Sequence, residues 1–434
     1  MKIANVKGGY DFLPQEEKIR NYIKETLKEV FELYGYLPIE TPIITYYDIL
    51  TDKYDDESDI LKEIYKLSDQ GDRNLGLRYD LTVPFAKFIA LNKNKIKFPF
   101  KRYEIAKVFR DGPVKTGRDR EFTQCDVDVV GLDGQFVEAE LLSLYKEAFE
   151  RLGIDIIIKY NSRKLMTGLM LKNNVPIDMI STITTIIDKK DKLSDKEFKN
   201  LMMKYGIKKE NVDSLISTFS LSLDELNEAY SNSDSKLIED GLSELNELNN
   251  YITNLGLQEI CSFSSSLARG QNYYTGNVFE VYERNNKISG SIGGGGRYDN
   301  MITNFIDDGN SYPTVGVSFG LSSIYELLKD EQKLNSQSPI DIFVISMNEP
   351  VESLKIASEL RKLGYKVEVD TSNKKLKKLF EYANKENIKY VMVLGENEIQ
   401  NKKFKIKDML NRIEYEINID EISKINEKVK ASKN

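Results

Sequence analysis

Two predicted β-strands carry the polar residues best placed for chemistry. They cover residues 103–110 and 122–130, and Gln124, Asp126 and Asp128 share one face of the second strand because side chains alternate along a strand. Basic residues end the first strand and follow in the connecting loop: Arg110, Lys115, Arg118 and Arg120. Guanidinium groups bind phosphates bidentately. The pattern is typical of a site for a small anionic ligand, but on these residues alone a half-exposed sheet with solvated side chains is a slightly better interpretation.

A second segment suited to chemistry lies near residue 270. Residues 267–282 are predicted to enter a strand, with Arg269 between small residues and with Tyr273 and Tyr274 on opposite faces. Residues 293–299 read GGGGRYD, which we interpret as a glycine turn that brings the backbone close to a ligand. The run lacks the G-x-x-x-x-G-K-[ST] pattern of a P-loop. A flexible turn between strands therefore remains the alternative.

Histidine is absent from all 434 residues, and so is tryptophan. This absence excludes Ser-His-Asp and Cys-His catalysis, histidine-ligated zinc or haem, and imidazole acid–base chemistry. Phosphoryl and nucleotidyl transfer remain open, because they depend on alignment and on charge stabilisation that arginines can supply. The two cysteines, Cys125 and Cys261, form no C-x-x-C pair, so neither a zinc knuckle nor a disulfide framework is expected.

The chain has a net charge of −7 and the composition of an ordinary globular protein. It has no run of about 18 apolar residues and no signal-peptide core, so we expect a cytoplasmic protein without membrane contact. We predict a catalytic domain over residues 1–331, interrupted by a helical insertion at 163–255. A linker at 332–339 leads to a small α/β domain over 340–434, where strands and helices alternate.

Six segments stand in a fixed order along the chain: KGGYDFLP (7–14), IETPI (39–43), LRYDLTVPFAK (77–87), FRDGPVKTGRDREFTQCDVDVVG (109–131), LARGQNYYTG (267–276) and YPTVGVSFGL (312–321). Together they resemble the class II histidyl-tRNA synthetase family, with the second, fourth and sixth resembling its motifs 1, 2 and 3. The C-terminal unit resembles the anticodon-binding domain of class IIa enzymes. The resemblance implies an α+β catalytic domain with a mixed, mainly antiparallel sheet.

The resemblance also implies the roles of individual residues. Those expected to bind histidine are Asp80, Leu81, Thr82, Arg110, Gln124, Asp128, Arg269, Tyr273 and Tyr274. Those expected to bind ATP are Arg110, Arg118, Arg120 and Arg269, of which Arg110 and Arg269 are the expected catalytic residues. Asp128 and Tyr274 would read the imidazole, since a carboxylate and a hydroxyl satisfy its donor and its acceptor nitrogen.

The implied function is histidine–tRNA ligation. Histidine would be activated with ATP to histidyl-adenylate and then transferred to the 3′ end of tRNA-His. The first step needs no general base, because the attacking carboxylate is ionised at pH 7. The resemblance implies a homodimer and Mg²⁺ that arrives with ATP, and no tightly bound metal is predicted.

Three positions depart from the family pattern. Gly112 stands where motif 2 has an acidic residue, Gln271 and Asn272 replace Leu-Asp before the tyrosines, and Ser323 replaces the motif 3 arginine. Arg297 is a candidate for the substitute cation. These departures leave an alternative open, a synthetase-like paralogue that binds histidine or tRNA as a regulatory or sensing subunit.

Overall fold

The computed structural model describes residues 3–51, 59–114, 118–190, 193–270, 273–330, 338–372 and 374–425. Internal contacts divide the chain into two compact units, Met1–Lys329 and Asp330–Asn434. Each unit is built around a sheet of its own. The predicted linker at 332–339 lies outside the described residues except for 338 and 339, as do Lys115, Gln271 and Asn272.

The first unit mixes strands with helices along its whole length. Its described strands are β1 (Leu37–Pro38), β2 (Ile44–Tyr46), β3 (Lys66–Ser68), β4 (Asn74–Leu77), β5 (Phe100–Phe109), β6 (Glu121–Val130), β7 (Ile156–Ser162), β8 (Cys261–Phe263), β9 (Asn277–Glu283), β10 (Gly293–Arg297) and β11 (Thr314–Gly320). Its described helices are α1 (Pro14–Leu33), α2 (Tyr47–Thr51), α3 (Asp59–Glu63), α4 (Thr82–Asn92), α5 (Phe136–Leu152), α6 (Arg163–Lys172), α7 (Ile180–Ile187), α8 (Asp195–Lys204), α9 (Lys209–Thr218), α10 (Leu223–Ala229), α11 (Lys236–Asn254), α12 (Asp299–Ile306) and α13 (Leu321–Leu328).

An eight-stranded sheet organises this unit. Its strand order is β1-β5-β6-β11-β10-β9-β7-β8, and β2, β4 and β3 form a smaller antiparallel sheet. All neighbours in the large sheet are antiparallel except the edge pairs β1–β5 and β7–β8. The predicted mixed, mainly antiparallel sheet is therefore confirmed.

Alternation along β6 separates the two faces of this sheet. Cys125, Val127 and Val129 are buried towards an apolar core, which α1 and α5 share. Phe319 of β11 joins that core, with its ring 5.5 Å from the ring of Phe31 in α1. The opposite face of β6 is left for polar side chains.

The glycine run is a strand and not the turn we predicted. Residues 293–297 form β10, which pairs on one side with β9 and on the other with β11. Backbone hydrogen bonds need no side chains, so paired neighbours can hold a glycine strand in place. The strand predicted to begin at residue 267 was also wrong in part, since β9 begins only at Asn277.

Helices α6 to α11 span the region of the predicted insertion, together with a short 3-10 helix at Ile177–Met179. Capping boxes begin two of them, where Ser194 pairs with Glu197 and Ser222 with Glu225. Helices α6 and α11 pack closely because Gly241 carries no side chain, and a Cβ there would lie 2.5 Å from the backbone nitrogen of Leu165.

The second unit has a five-stranded sheet. Its strands are β12 (Ile342–Ser346), β13 (Val367–Asp370), β14 (Tyr390–Leu394), β15 (Lys403–Asp408) and β16 (Ile413–Asn418); its helices are α14 (Pro350–Lys362), α15 (Leu376–Lys385) and α16 (Glu396–Gln400), followed by a 3-10 helix at Ile419–Lys424. The order is β13-β12-β14-β15-β16, with the first three strands parallel. This agrees with the predicted α/β character. None of the helices in the described parts of the chain is long and apolar enough to cross a bilayer.

Candidate active site

A cavity of about 230 Å³ lies on the polar face of the large sheet. Its polar lining consists of Asp80, Thr82, Arg110, Gln124, Asp126, Asp128, Arg269, Tyr273, Tyr274, Ser291, Tyr298 and Ser318. Eight residues predicted from sequence are among them. Of the remaining three, the Leu81 side chain is fully buried, Arg118 is exposed, and Arg120 does not line the cavity.

Glycines form much of the cavity floor. A Cβ at Gly294 would overlap Nη1 of Arg269, and one at Gly316 would overlap Oδ1 of Asp128. A Cβ at Gly296 would lie 2.9 Å from the Tyr274 ring. The glycines thus allow functional side chains to lie directly across the strands. The secondary structure predicted for the glycine run was wrong, and the close approach of its backbone to a ligand stays a prediction.

Asp128 is held at the base of the cavity by two buried partners. Arg102 places Nη2 2.6 Å from Asp128 Oδ2, and the Tyr298 hydroxyl donates to Oδ1. All three side chains are buried. Burial raises the pKa of the Asp128 carboxyl, while Arg102 and the Tyr298 hydrogen bond act against that rise. The orientation of Asp128 is therefore fixed before any ligand arrives.

Asp80 presents one free oxygen to the cavity. Its Oδ1 accepts a hydrogen bond of 3.1 Å from the backbone N–H of Val83 in the first turn of α4, and its Oδ2 is buried without a partner among the residues that the structure describes. Burial raises the pKa of Asp80, opposed by that backbone hydrogen bond and by Arg110. Neighbouring Arg78 anchors this segment by donating to Glu104 (3.1 Å). An orphaned buried acceptor of this kind fits a cationic ligand group.

Arg110 lies between two aromatic rings. Its Cζ atom is 4.2 Å from the ring centroid of Tyr79 and 4.9 Å from that of Phe122, and its Nε donates to the Tyr79 carbonyl oxygen. Arg120, the residue before β6, pairs with Asp111 at 3.1 Å and remains partly exposed. Arg110 is thus positioned at the cavity, whereas Arg120 lies beside it.

Arg269 lies across β10. Its Nη1 donates to the carbonyl oxygen of Phe279 (3.1 Å) and stands 3.6 Å from Oε1 of Glu280. Its Nε is buried and has no partner in the described parts of the chain. Burial lowers the pKa of this guanidinium, but Tyr274 and Glu280 outweigh that effect and hold the pKa above its ordinary value. Arg269 is therefore a fixed positive charge on the cavity wall.

Position 112 is a glycine where the family has an acidic residue, and the Glu63 side chain lies in the space next to it. A Cβ at Gly112 would lie 3.0 Å from Oε1 of Glu63, at the end of α3. The backbone N–H of Asp111 donates to the Glu63 carbonyl oxygen (2.7 Å), and the Tyr79 hydroxyl donates to Glu63 Oε2 (3.4 Å). A carboxylate therefore stands beside the motif 2 loop although residue 112 has none.

Our suggestion that Arg297 substitutes for the motif 3 arginine was wrong. Its guanidinium bonds both oxygens of Glu138, at 2.6 and 2.8 Å, and also Asp299. The Arg297 side chain is only 3% exposed and does not line the cavity. Because Glu138 already neutralises it inside the fold, Arg297 is a structural residue. Ser323 is half-buried near Gly320.

The sequence prediction missed Arg102, Asp126, Tyr298 and Ser318 as residues of the site. Asp126 was visible on the polar face of β6, yet it was assigned no role. Tyr298 follows the glycine run directly and was overlooked because the run was interpreted as a turn. Arg102 and Ser318 lie on β5 and β11, opposite Asp128 and Asp126 in the sheet register. Strand pairing would have found both.

Within the described residues, no group of three or more cysteine or acidic side chains is arranged to hold a metal ion.

Two family models match the chain. One, described as histidyl-tRNA synthetase, matches residues 8–324, and the other, described as anticodon binding domain, matches residues 341–428. The chain belongs to the histidyl-tRNA synthetase family.

Individual members of the histidyl-tRNA synthetase family match over nearly the full length. Histidine--tRNA ligase 1 of Bacillus anthracis is 43% identical over 98% of this chain and 99% of its own. The crystal structure of histidyl-tRNA synthetase from Nostoc sp. PCC 7120 is 30% identical, with a TM-score of 0.83 over 99% of this chain and 100% of its own. The predicted family, fold class and enzyme class, an aminoacyl-tRNA ligase, are therefore confirmed.

A third match bears on the regulatory alternative. A Bacillus halodurans structure described as an ATP phosphoribosyltransferase regulatory subunit/histidyl-tRNA synthetase is 20% identical, with a TM-score of 0.74 over 88% of this chain and 97% of its own. At that identity the likeness shows the fold alone. The ligases match this chain more closely, which favours the synthetase over a regulatory paralogue.

Proposed function

We propose that this chain activates L-histidine with ATP and transfers it to tRNA-His, acting in the cytoplasm as a homodimer. The observation that carries the proposal is the composition of one cavity. Buried acceptors from Asp80, Gln124 and Asp128 share it with the guanidinium groups of Arg110 and Arg269. Such a cavity matches a small ligand that is cationic at one end and joins a phosphate at the other.

Histidine recognition would use the acceptors at both ends of the amino acid. Asp80 Oδ2 and Gln124 Oε1 are buried and have no partner within the described ranges, and either can accept a hydrogen bond from the α-ammonium group. Thr82 adds a hydroxyl beside them. Asp128 accepts from the imidazole N–H, and the Tyr274 hydroxyl donates to its other nitrogen. A ligand lacking one of these groups leaves a buried partner unpaired, which can discriminate by about 10⁴–10⁵.

In the first step, a carboxylate oxygen of histidine attacks the α-phosphorus of ATP. The new bond joins that oxygen to phosphorus, and the bond between the α- and β-phosphates breaks to release pyrophosphate. Arg110 and Arg269 align the two reactants and neutralise charge on the α-phosphate. Arg118 and Arg120 hold the outer phosphates, and Mg²⁺ enters as part of the nucleotide substrate.

In the second step, a ribose hydroxyl at the 3′ end of tRNA attacks the carbonyl carbon of the adenylate. The ester bond forms, AMP leaves, and a phosphate oxygen of the adenylate accepts the hydroxyl proton. No protein imidazole is needed, which suits a chain without histidine. The same two arginines stabilise the leaving phosphate.

Two further parts of the proposal concern Glu63 and the dimer. Glu63 supplies the carboxylate that residue 112 lacks, and it contacts the adenine amino group. Dimerisation is supported by exposed apolar side chains around motif 1, where Leu37, Ile44 and Tyr46 are each more than half exposed. Light scattering in solution should give about twice the chain mass of 49.9 kDa.

Histidine-dependent exchange of pyrophosphate into ATP tests the proposed function. We expect exchange that requires L-histidine, and aminoacylation of tRNA-His but of no other tRNA. Tight histidine binding without exchange would instead support the sensing paralogue. Loss of exchange in Arg269→Ala, with the fold intact by circular dichroism, would tie the activity to this cavity.

A further inference from the structure

We propose that Ser318 and Asp126 form a hydrogen-bond relay that fixes the side-chain amide of Gln124, so that its carbonyl oxygen faces the α-ammonium group of the bound amino acid. This inference rests on the proposed function. It assigns roles to two residues of the cavity that sequence comparison with the family did not point to. Ser318 and Asp126 act through Gln124 and are therefore positioning residues.

The three side chains are brought together by the pairing of β6 with β11. Ser318 stands directly opposite Asp126 in the register, and Gln124 stands opposite Gly320. The Nε2 atom of Gln124 donates to Oγ of Ser318 at 3.3 Å. Because Ser318 faces Asp126 across this strand pair, its hydroxyl also lies beside the Asp126 carboxyl group, whose pKa it lowers. One hydroxyl is therefore placed to connect the amide to the carboxylate.

Proton counting sets the direction of this chain of hydrogen bonds. An ionised carboxylate only accepts, and a hydroxyl has one proton to give. If Ser318 donates its proton to Asp126, its oxygen can only accept from Gln124. The Gln124 amide must then turn its nitrogen towards Ser318 and its oxygen, Oε1, towards the cavity. That oxygen is buried and has no partner within the described residues.

The orientation matters because an amide can present either end with the same shape. An ammonium group carries three donors and no acceptor. With Oε1 towards the cavity, Gln124 joins Asp80 Oδ2 as a second acceptor. With the amide reversed, two donor groups would face each other in a buried site, which costs about 1–3 kcal/mol for the unsatisfied group. The relay therefore disfavours the reversed orientation of the Gln124 amide.

The relay depends on the charge of Asp126. Charged and titratable groups near Asp126 come from several elements: Arg102 and Glu104 of β5, Asp128 of β6, Asp80 before α4, Tyr145 of α5 and Tyr298 after β10. Burial raises the pKa of Asp126 to about 7, against the effect of Arg102 and with that of Asp128. The positive charge of the arriving ammonium group favours the ionised form, which is the form that the relay requires.

The deciding experiment uses a ligand that lacks the group the relay serves. Imidazolepropionate is histidine without its amino group. Isothermal titration of the full-length Ser318→Ala variant should show about a tenfold weaker Kd for L-histidine, whereas the Kd of imidazolepropionate should stay within twofold of the wild type. Ser318→Thr keeps the hydroxyl on a residue that strands accept, and it should bind both ligands as the wild type does.

The Asp126→Asn variant provides a second test, because it should reverse the direction of the hydrogen bonds in the relay. Arg102 attracts the carboxamide oxygen, so the amide N–H of residue 126 donates to Ser318, whose proton then goes to Gln124 Oε1. Histidine binding should fall further than in Ser318→Ala. Equal losses for both ligands in Ser318→Ala, or histidine binding at the wild-type level in either variant, would overturn the relay alone. A wild-type protein that does not bind histidine would overturn the proposed function as well.

Discussion

The proposed amino-acid side of the cavity and the proposed phosphate side next to it hold their charged groups in different ways. On the amino-acid side, Asp128 is buried on a central strand between Arg102 and Tyr298. On the phosphate side, Arg118 is exposed, and Arg120 is 31% exposed beside a half-exposed Asp111. Discrimination between amino acids needs desolvated partners with fixed geometry. Triphosphate binding mainly needs positive charge, which long side chains can bring to the ligand when it arrives.

The largest expected effect is the loss of kcat when the fixed Arg269 is replaced, compared with the loss when the partly exposed Arg120 is replaced. Arg269→Lys removes the planar guanidinium that lies across β10, and kcat for pyrophosphate exchange should fall about 10²–10³-fold, the usual cost of losing one group that stabilises the transition state. The matched variant Arg120→Lys should lose less than tenfold. Similar losses in both variants would show that the two sides do not differ in the way described.

The glycine floor should be nearly as sensitive. Gly316→Ala puts a Cβ where Oδ1 of Asp128 lies, so Asp128 must move away from Arg102. The Kd for histidine should rise about 100-fold, measured by titration, with a lower melting temperature. Gly71→Ala is the control, since a Cβ in that exposed turn makes only an ordinary contact of 3.4 Å with Asp69. Wild-type histidine affinity in Gly316→Ala would contradict this account.

Buried carboxylates on the amino-acid side should lower stability as the pH rises. The pKa of Asp126 is raised to about 7 in the folded protein, above its unfolded value, so the folded state binds the proton more tightly. Stability therefore falls between about pH 4 and pH 7, by up to about 1.4 kcal/mol for each pH unit. In urea unfolding without ligand, the free energy of unfolding of Asp126→Asn, relative to that of the wild type, should rise by about 2 kcal/mol from pH 5 to pH 8. The control Asp133→Asn, at a side chain 89% exposed, should show no such gain.

The smallest effect is expected beside the motif 2 loop. Glu63→Gln keeps the shape but replaces a carboxylate with an amide that also presents donors. If Glu63 contacts the adenine amino group, KM for ATP should rise about five- to tenfold with little change in kcat or in histidine affinity. The neighbouring exposed Lys62→Gln provides the control. An unchanged KM for ATP would remove Glu63 from the nucleotide site.

Sequence patterns were sufficient to place the side chains that β6 presents to the cavity. Alternation alone placed Gln124, Asp126 and Asp128 on the polar face of β6, and that is where the cavity lies. It failed for β10, because a run of glycines has no hydrophobic period that could indicate a strand. Local patterns cannot supply such a strand, since the neighbours that pair with it define it.

Partners distant in sequence explain the other failures. Arg297 looked like a free cation, yet its partner Glu138 is 159 residues away along the chain. Arg102 supports Asp128 from the adjacent strand, and Ser318 stands opposite Asp126 on a strand almost 200 residues later. Hydrogen-bond supports of this kind leave no spacing signature in one sequence. They become visible only when the strand register is known.

The glycine floor limits how this enzyme could be redesigned for bulkier amino acids. Pockets are usually enlarged by trimming side chains, but Gly294, Gly295 and Gly316 have nothing left to trim. Extra room on this side can come from the aromatic walls, at Tyr273, Tyr274 or Tyr298. Tyr298 also holds Asp128, and Tyr274 is itself a proposed imidazole partner, so selection for a larger substrate would have to begin at Tyr273 or give up a proposed imidazole contact.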